Sequence, residues 1–363
     1  MSEIFKNLNE IPVKTFRWLG INNLSLKDIA IPEVHNLSRN YSDIKNDNYD
    51  LIYSNKKSPE LLELKNETFG ISNEVIKEIN ENYNLGFFLN IKKSTTEPII
   101  LNFEFDDNDK SIIDNNLIIA DENSNATVVL NYSSLNESSS YHNGLIKIIA
   151  NKNSKINVFV IQKLNNSSIN LNSSLSLIRE NAEVNFSSID LGSKYSISSY
   201  NSFLNENKGI SNLDSLYLGE DEKIIDINYS IIHNGKETKS EINAKGALLG
   251  KSKKIFRGTL DFRKGSSKSV GKEEEYVMLL SPNVKNSSIP LLLSREDDIQ
   301  GEHAASAGKI DESTLFYLMS RGLSIEESRK LLILAHFTPL INKLPADFRD
   351  DIITTIERKL KNA

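Results

Sequence analysis

The chain has 363 residues, no cysteine and a formal net charge of −6. Disulfides, thiolate metal ligands, thiolate nucleophiles and persulfide carriers within this chain are thereby excluded. The acidic balance and thinly spread lysines also argue against a nucleic-acid binder, which needs clustered cations against phosphates. The length suggests about two domains, or one elongated repeat domain with appendages.

The first residues, MSEIFKNLNEIPVK, show no basic stretch followed by an apolar run, and no segment approaches a membrane span in length. The expectation is a soluble, cytoplasmic protein without membrane contact. Residues 1–90 read as a helical, partly irregular N-terminal region. Pro12 to Gly20 carries the only tryptophan, Trp18, as an anchored turn or short helix with a packing role. Val75, Ile76 and Ile79 fall at helical spacing behind the N-cap candidates Ser72 and Asn73.

Residues 91–300 change character, beginning in the lead-in from Phe87. Short alternating runs such as PIILNFEF, ATVVLNY, KINVFVIQ and AEVNFSSI are strand signatures, too many for a small sheet. A small residue after an Asn-containing turn recurs at Ala126, Ser154 and Ala182, about 28 residues apart. One supersecondary unit per period is what stacked coils produce, so the fold expected is a mainly β, right-handed parallel β-helix flanked by helical segments. A β-sandwich competes. The shortage of two-residue Asn-Gly or Asp-Gly turns, with Asn234-Gly235 a rare candidate, weighs against it.

Residues 301–363 read as a C-terminal helical region. Asp311 or Ser313 can cap a helix with Leu315, Phe316, Leu318 and Met319 on its apolar face, ended by Gly322. Ser324 to Glu327 is a capping box for a second helix whose face includes Leu331, Leu332, Leu334 and Ala335, until Thr338-Pro339 interrupts. A third helix follows Pro345, with Phe348, Ile352, Ile356 and Leu360 in steps of four.

Walker-type loops, GxGxxG, HExxH and GxSxG are all absent. Five histidines are dispersed: His35, His142, His233, His303 and His336. His233, in a strand, suits a neutral hydrogen-bonded role in the core. His336, near a helix end, suits a cation against the helix dipole. Asp106-Asp107, Asp297-Asp298 and the run Glu273 to Glu275 read as solvated. His303 differs because Gly301, Ala304, Ala305, Ser306, Ala307 and Gly308 let backbone or another subunit approach its imidazole.

A longer pattern then emerges. From His233 it passes Lys245-Gly-Ala-Leu-Leu249, Phe256-Arg-Gly-Thr-Leu260, Leu279-Leu-Ser281, Ile289-Pro290 and Glu302-His-Ala-Ala-Ser306, ending at Leu315-Phe-Tyr-Leu-Met-Ser-Arg-Gly322. This run resembles the SufB/SufD family of iron–sulfur cluster assembly scaffolds, covering the last third well and the middle in its repetitive β character. The resemblance implies a non-enzymatic scaffold paired with a SufB-like paralogue and a SufC-type ABC ATPase, which would dock on the C-terminal helices near Phe316, Tyr317, Arg321 and Gly322. It implies a transient iron–sulfur cluster at a subunit interface, with His303 as the ligand and Glu302, Ala304 and Ser306 as interface neighbours. It also leaves room for reduced flavin in the complex and for a homodimer when the chain is alone.

The SufB-like half supplies a cysteine before the Leu-Leu run and a glutamate after the histidine. Here those places hold Glu275 or Tyr276, and Ala304, so the chain resembles the SufD-like half. Many SufD-like chains also carry a cysteine two places before this histidine and a glycine just after it, where this one has Gly301 and Ala304. On the residues alone, two other readings stay open: a β-helix enzyme acting on a polysaccharide, and a purely architectural β-helix homodimer.

Overall fold

Apolar side chains recur at every second position, and a pleated backbone sends those positions to one face, so each strand has one side to bury. In the computed structural model, which describes residues 5–14, 19–27, 29–53 and 67–361, the strands bury that side by stacking into coils. The chain opens with β1 (Ile44–Lys45), β2 (Tyr49–Tyr53), α1 (Asn73–Asn82) and β3 (Phe87–Ile91). Then follow β4 (Ile99–Phe105), β5 (Ser111–Ala120), β6 (Asn125–Ser134), β7 (Tyr141–Ala150), β8 (Lys155–Lys163), β9 (Ile169–Ile178) and β10 (Glu183–Asp190). Next come β11 (Tyr195–Leu204), β12 (Ile210–Gly219), β13 (Ile224–His233), β14 (Lys239–Leu248), β15 (Lys253–Phe262), β16 (Ser269–Leu279), β17 (Lys285–Ser294) and β18 (Ile299–Gly308). Helices α2 (Glu312–Ser320), α3 (Ile325–Ile341) and α4 (Ala346–Lys361) complete the described chain.

Odd-numbered strands from β3 to β17 build one sheet, extended at its start by β2 and β1, and even-numbered strands from β4 to β18 build the other. Pairing is parallel throughout, except where β1, β2 and β3 meet antiparallel. The architecture is therefore the expected parallel β-solenoid, of about eight turns, with helices at both ends. A sandwich would need antiparallel hairpins along the middle of the chain, and each strand there instead pairs with the strand one coil away.

In six successive coils one corner is turned by a residue in the left-handed region: Asn123, Asn153, Asn181, Lys208, Glu237 and Lys268, with φ between 56 and 62°. Asn reaches that region at low cost, and the first corners stack as a ladder. Asn153 Nδ2 donates to Asn123 Oδ1 at 3.0 Å and Asn181 Nδ2 to Asn153 Oδ1 at 2.8 Å. The spacing of 28 residues holds between Ser154 and Ala182, but Ser124 rather than Ala126 is the counterpart of Ser154, because Asn125 pairs with Lys155. Coils differ in length since surface corners absorb an extra residue without disturbing the stack.

The main core lies between the two sheets. A second cluster packs α1, capped by Ser72, and the N-terminal segment onto the outer face of the first sheet. There Asn9 Nδ2 and Arg257 Nη1 both donate to Asp226 Oδ1, each at 2.6 Å. Trp18 lies outside the described residues. A third cluster packs α3 and α4 onto the outer face of the second sheet, where Phe348, Ile352 and Ile356 of α4 are buried as their spacing requires.

Three expectations change. The segment from Gly301 to Gly308 is not helical but is most of β18, the last strand of the solenoid, and the helices start at Glu312. Helix α3 runs through Pro339 to Ile341, because a proline so near the helix end removes one hydrogen bond while Phe337, Leu340 and Ile341 hold the turn from around it. Its buried face is Ile333, Phe337, Leu340 and Ile341, whereas Leu331 is exposed. An apolar run wrapping most of a helix does not reveal which stripe meets the sheet; the groove on the second sheet decides it.

Candidate functional site

The site is built on β16 and β18. In β16 the residues Gly271, Glu273, Glu275 and Val277 point into the solenoid, and the register pairs Gly271 with Gly301, Glu273 with His303 and Glu275 with Ala305. Parallel partners share a face, so His303 turns inward above Glu273. No coil follows β18, which leaves His303 exposed, and it has no hydrogen-bond partner among the described residues. The neighbours Glu302, Ala304 and Ser306 pair with Lys272, Glu274 and Tyr276 and lie on the opposite, outer face. The strand thus separates His303 from its three sequence neighbours, and Ala305 and Ala307 are the residues that share its face.

The acid run of β16 is not solvated as expected. Glu273 and Glu275 are 1% and 2% exposed, and of the three only Glu274 lies in solvent. Alternation explains it: in a strand, the first and third of three consecutive acids share a face, and here that face is the interior. Glu275 is held there through one oxygen, while its Oε2 has no hydrogen-bond partner among the described residues. Lys254 Nζ donates to its Oε1 at 2.5 Å and Tyr217 OH to the same oxygen at 2.7 Å. Burial pushes Lys254 below its ordinary value, opposed by Glu275, and pushes Tyr217 well above its own, reinforced by Glu275. Glu273 has no such company. Both its oxygens lack a hydrogen-bond partner among the described residues, and burial, helped by the charge of Glu275, pushes it up to about 8. Its carboxyl reaches across to Gly258 of β15, where a β-carbon would come within 2.1 Å of Oε1.

The remaining histidines have structural surroundings. His233 is buried in the interior as expected, with ring nitrogens 2.7 Å from Thr238 Oγ1 and 2.8 Å from Ser240 Oγ, and burial pushes it down to about 3. His142 lies between Asp114 Oδ1 at 3.0 Å and Asn170 Oδ1 at 2.6 Å, again inside the coils. His336 is not the cation expected at a helix end. Its ring packs edge-on to Tyr276 at 4.9 Å, and burial, then the nearby Lys245, push it down to about 4. His35 is exposed beside Glu33. Asp106, expected in a solvated turn, accepts from Arg39 and from the backbone of Asn108 and Asp109.

Among the described residues no three His, Asp or Glu side chains converge to hold a metal ion. His303 and Glu273 are a nitrogen donor and an oxygen donor, a combination suited to iron(II) only if other ligands arrive from outside the chain. Sequence reasoning read Glu273 and Glu275 as solvated acids and passed over Lys254. The available signal was the acid run inside an alternating strand, whose register with His303 needed the coil lengths.

A second exposed feature lies beyond β18. Helix α2 is capped by Asp311 and ended by Gly322 at φ 98°, and it buries none of its residues. Phe316 is 73% exposed and Tyr317 55%, with the Arg321 guanidinium 5.2 Å from the Tyr317 ring. No described helix is long and apolar enough to cross a membrane.

Residues 103–336 match the family model described as the SufBD core domain of SUF-system FeS cluster assembly. The chain is 27% identical over 283 residues to the iron–sulfur cluster assembly protein SufD of Bacillus subtilis, covering 77% of this chain and 65% of that protein. It is similarly 27% identical over 276 residues to a SufBD family protein of Staphylococcus saprophyticus, covering 76% of this chain and 59% of the relative. A Staphylococcus epidermidis SufBD family protein is 26% identical over the same length and coverage. The chain thus spans less than two thirds of the length of these relatives.

Proposed function

This chain belongs to the SufBD family of the SUF iron–sulfur cluster assembly system, and from that premise we propose that it is a SufD-like scaffold subunit, paired with a SufB-like paralogue and a SufC-type ATPase. The observation that carries the reading is His303, exposed and without a partner among the described residues, on the terminal strand inside the family-matched region. The cluster is cargo in this reading. His303 holds one iron through an imidazole nitrogen, and the thiolates this chain lacks come from the paralogue.

Each end strand pairs on one side only: β17 with β15 and β18 with β16. Free strand edges carry unpaired N–H and C=O groups and accept another chain's strands, which would bring the paralogue's ligands to the inward face of β18. The small Gly301, Ala305 and Ala307 on that face leave room for them. The ATPase docks at 301–363 on the apolar surface of α2 around Phe316 and Tyr317, with Arg321 and Gly322 at its end. Residues 91–300 form the body between, and α1 with the described N-terminal segment around Phe5, Leu8 and Leu24 packs on the outer face of its first sheet. ATP hydrolysis belongs to the partner, and any reduced flavin to the complex rather than to this chain.

The test is the anaerobic visible spectrum of the chain co-purified with its SufB-like and SufC-like partners, comparing the native sequence with His303→Ala. Thiolate-to-iron absorption should fall in the variant while the complex stays assembled. Equal spectra would leave His303 a structural residue of an architectural subunit, and failure to co-purify would remove the pairing.

A further inference from the structure

Inside the open end of the solenoid is a carboxyl group for which the fold has no evident use. Glu273 is 1% exposed, and neither of its oxygens has a hydrogen-bond partner among the described residues. Buried polar groups in native proteins are satisfied with few exceptions, and each exception asks for a ligand or a function. Glu275 two residues on differs in that its Oε1 is held by Lys254 and Tyr217, leaving only Oε2 without a partner among the described residues. With Lys254 and Glu275 cancelling each other, Glu273 is the acid left over in this part of the interior.

Position gives it a use. Glu273 is the register partner of His303 on the neighbouring strand, and both side chains face inward. Parallel strands lie about 4.8 Å apart, so the carboxyl and the imidazole start from adjacent points on one surface. Room for the carboxyl is provided by Gly258 on the opposite sheet, where any side chain would collide with it. The open end above is uncovered by any further coil.

We propose that Glu273 is a second iron-ligating side chain of this chain, an oxygen donor beneath the nitrogen of His303, with the remaining ligands supplied from outside the chain. The proposal rests on the reading of His303 as a ligand. Carboxylate and imidazole together suit iron(II) better than either alone, and binding exchanges the carboxyl proton for the metal, the proton leaving to solvent.

The test titrates the full chain, co-purified with its SufB-like partner, with Co2+, a spectroscopic stand-in for iron(II), following its visible bands with the native chain, Glu273→Gln, His303→Ala and Gly258→Ala. The last variant keeps the carboxyl but pushes it aside, so it probes position without removing a group; a thermal melt checks that each variant is folded. Glu273→Gln, Gly258→Ala and His303→Ala should each weaken Co2+ binding at least about tenfold, the loss that even an indirect metal partner brings. If His303→Ala weakens binding while the Glu273 and Gly258 variants leave it unchanged, this proposal falls and the reading of His303 stands. If none of the variants matters, or the native complex takes up no Co2+, the two-donor site is wrong. Loss in Glu273→Gln but not in His303→Ala would also overturn the pairing of the two donors.

Discussion

Acid should destabilise this protein through His233, by an amount the structure sets. The ring is fully buried, stacks on Phe262 at 4.4 Å, and has Thr238 Oγ1 at one nitrogen and Ser240 Oγ at the other. Two hydroxyls satisfy a neutral imidazole, one donating and one accepting, but a second ring proton would bring a charge where no carboxylate bonds to it. Burial accordingly lowers His233 from 6.5 to about 3. Because the folded value lies below the unfolded one, the unfolded chain binds the extra proton first. The stability contributed by the neutral ring is complete above about pH 6.5 and is lost as pH falls towards 3. Those values give a loss of about 2 kcal/mol between pH 7 and pH 5 and about 4 kcal/mol by pH 3. His233→Gln keeps an amide donor and acceptor for the same hydroxyls and does not titrate. Urea unfolding followed by far-UV circular dichroism, at pH 7 and pH 5, should show the native protein losing about 2 kcal/mol more than the variant. A gap that stays constant to within about 0.5 kcal/mol would refute the argument.

The buried pair of Lys254 and Glu275 should behave as a unit. Lys254→Met or Glu275→Leu alone leaves a bare charge inside and should cost about 3–5 kcal/mol, while the double variant costs less than either; additive losses in urea would refute the coupling. On α2, Phe316→Ala should change stability by no more than about 0.5 kcal/mol, since the side chain is 73% exposed, yet reduce capture of a SufC-type ATPase in a pull-down. Undiminished capture would move the docking surface elsewhere.

Local rules carried most of the secondary structure. Alternation with β-branched and aromatic residues marks the strands, and three helix starts were legible because a cap is a short-range hydrogen bond: Ser72 to Val75 N, Asp311 to Thr314 N, and the reciprocal pair of Ser324 and Glu327. His233 was legible too, as a polar residue at the end of an apolar strand. Less legible was anything that depends on which coil lies above which. The Glu273 to Glu275 run looks like surface by composition, and the burial of Glu273 and Glu275 follows from β16 turning that face into the solenoid.

The sequence by itself determined that this chain would form a β-solenoid between helical ends, and through the pattern ending in Leu315 to Gly322 it pointed to the family. Periodicity, capping and motif spacing are properties of residues close along the chain, so they can be read there. The tertiary structure alone decided that His303 turns inward while Glu302, Ala304 and Ser306 turn outward, that Glu273 lies beneath it, and that His336 is half-buried and neutral. Each of these depends on register between strands about 30 residues apart or on a helix chosen by a groove, and coil lengths vary enough that no local rule sets them.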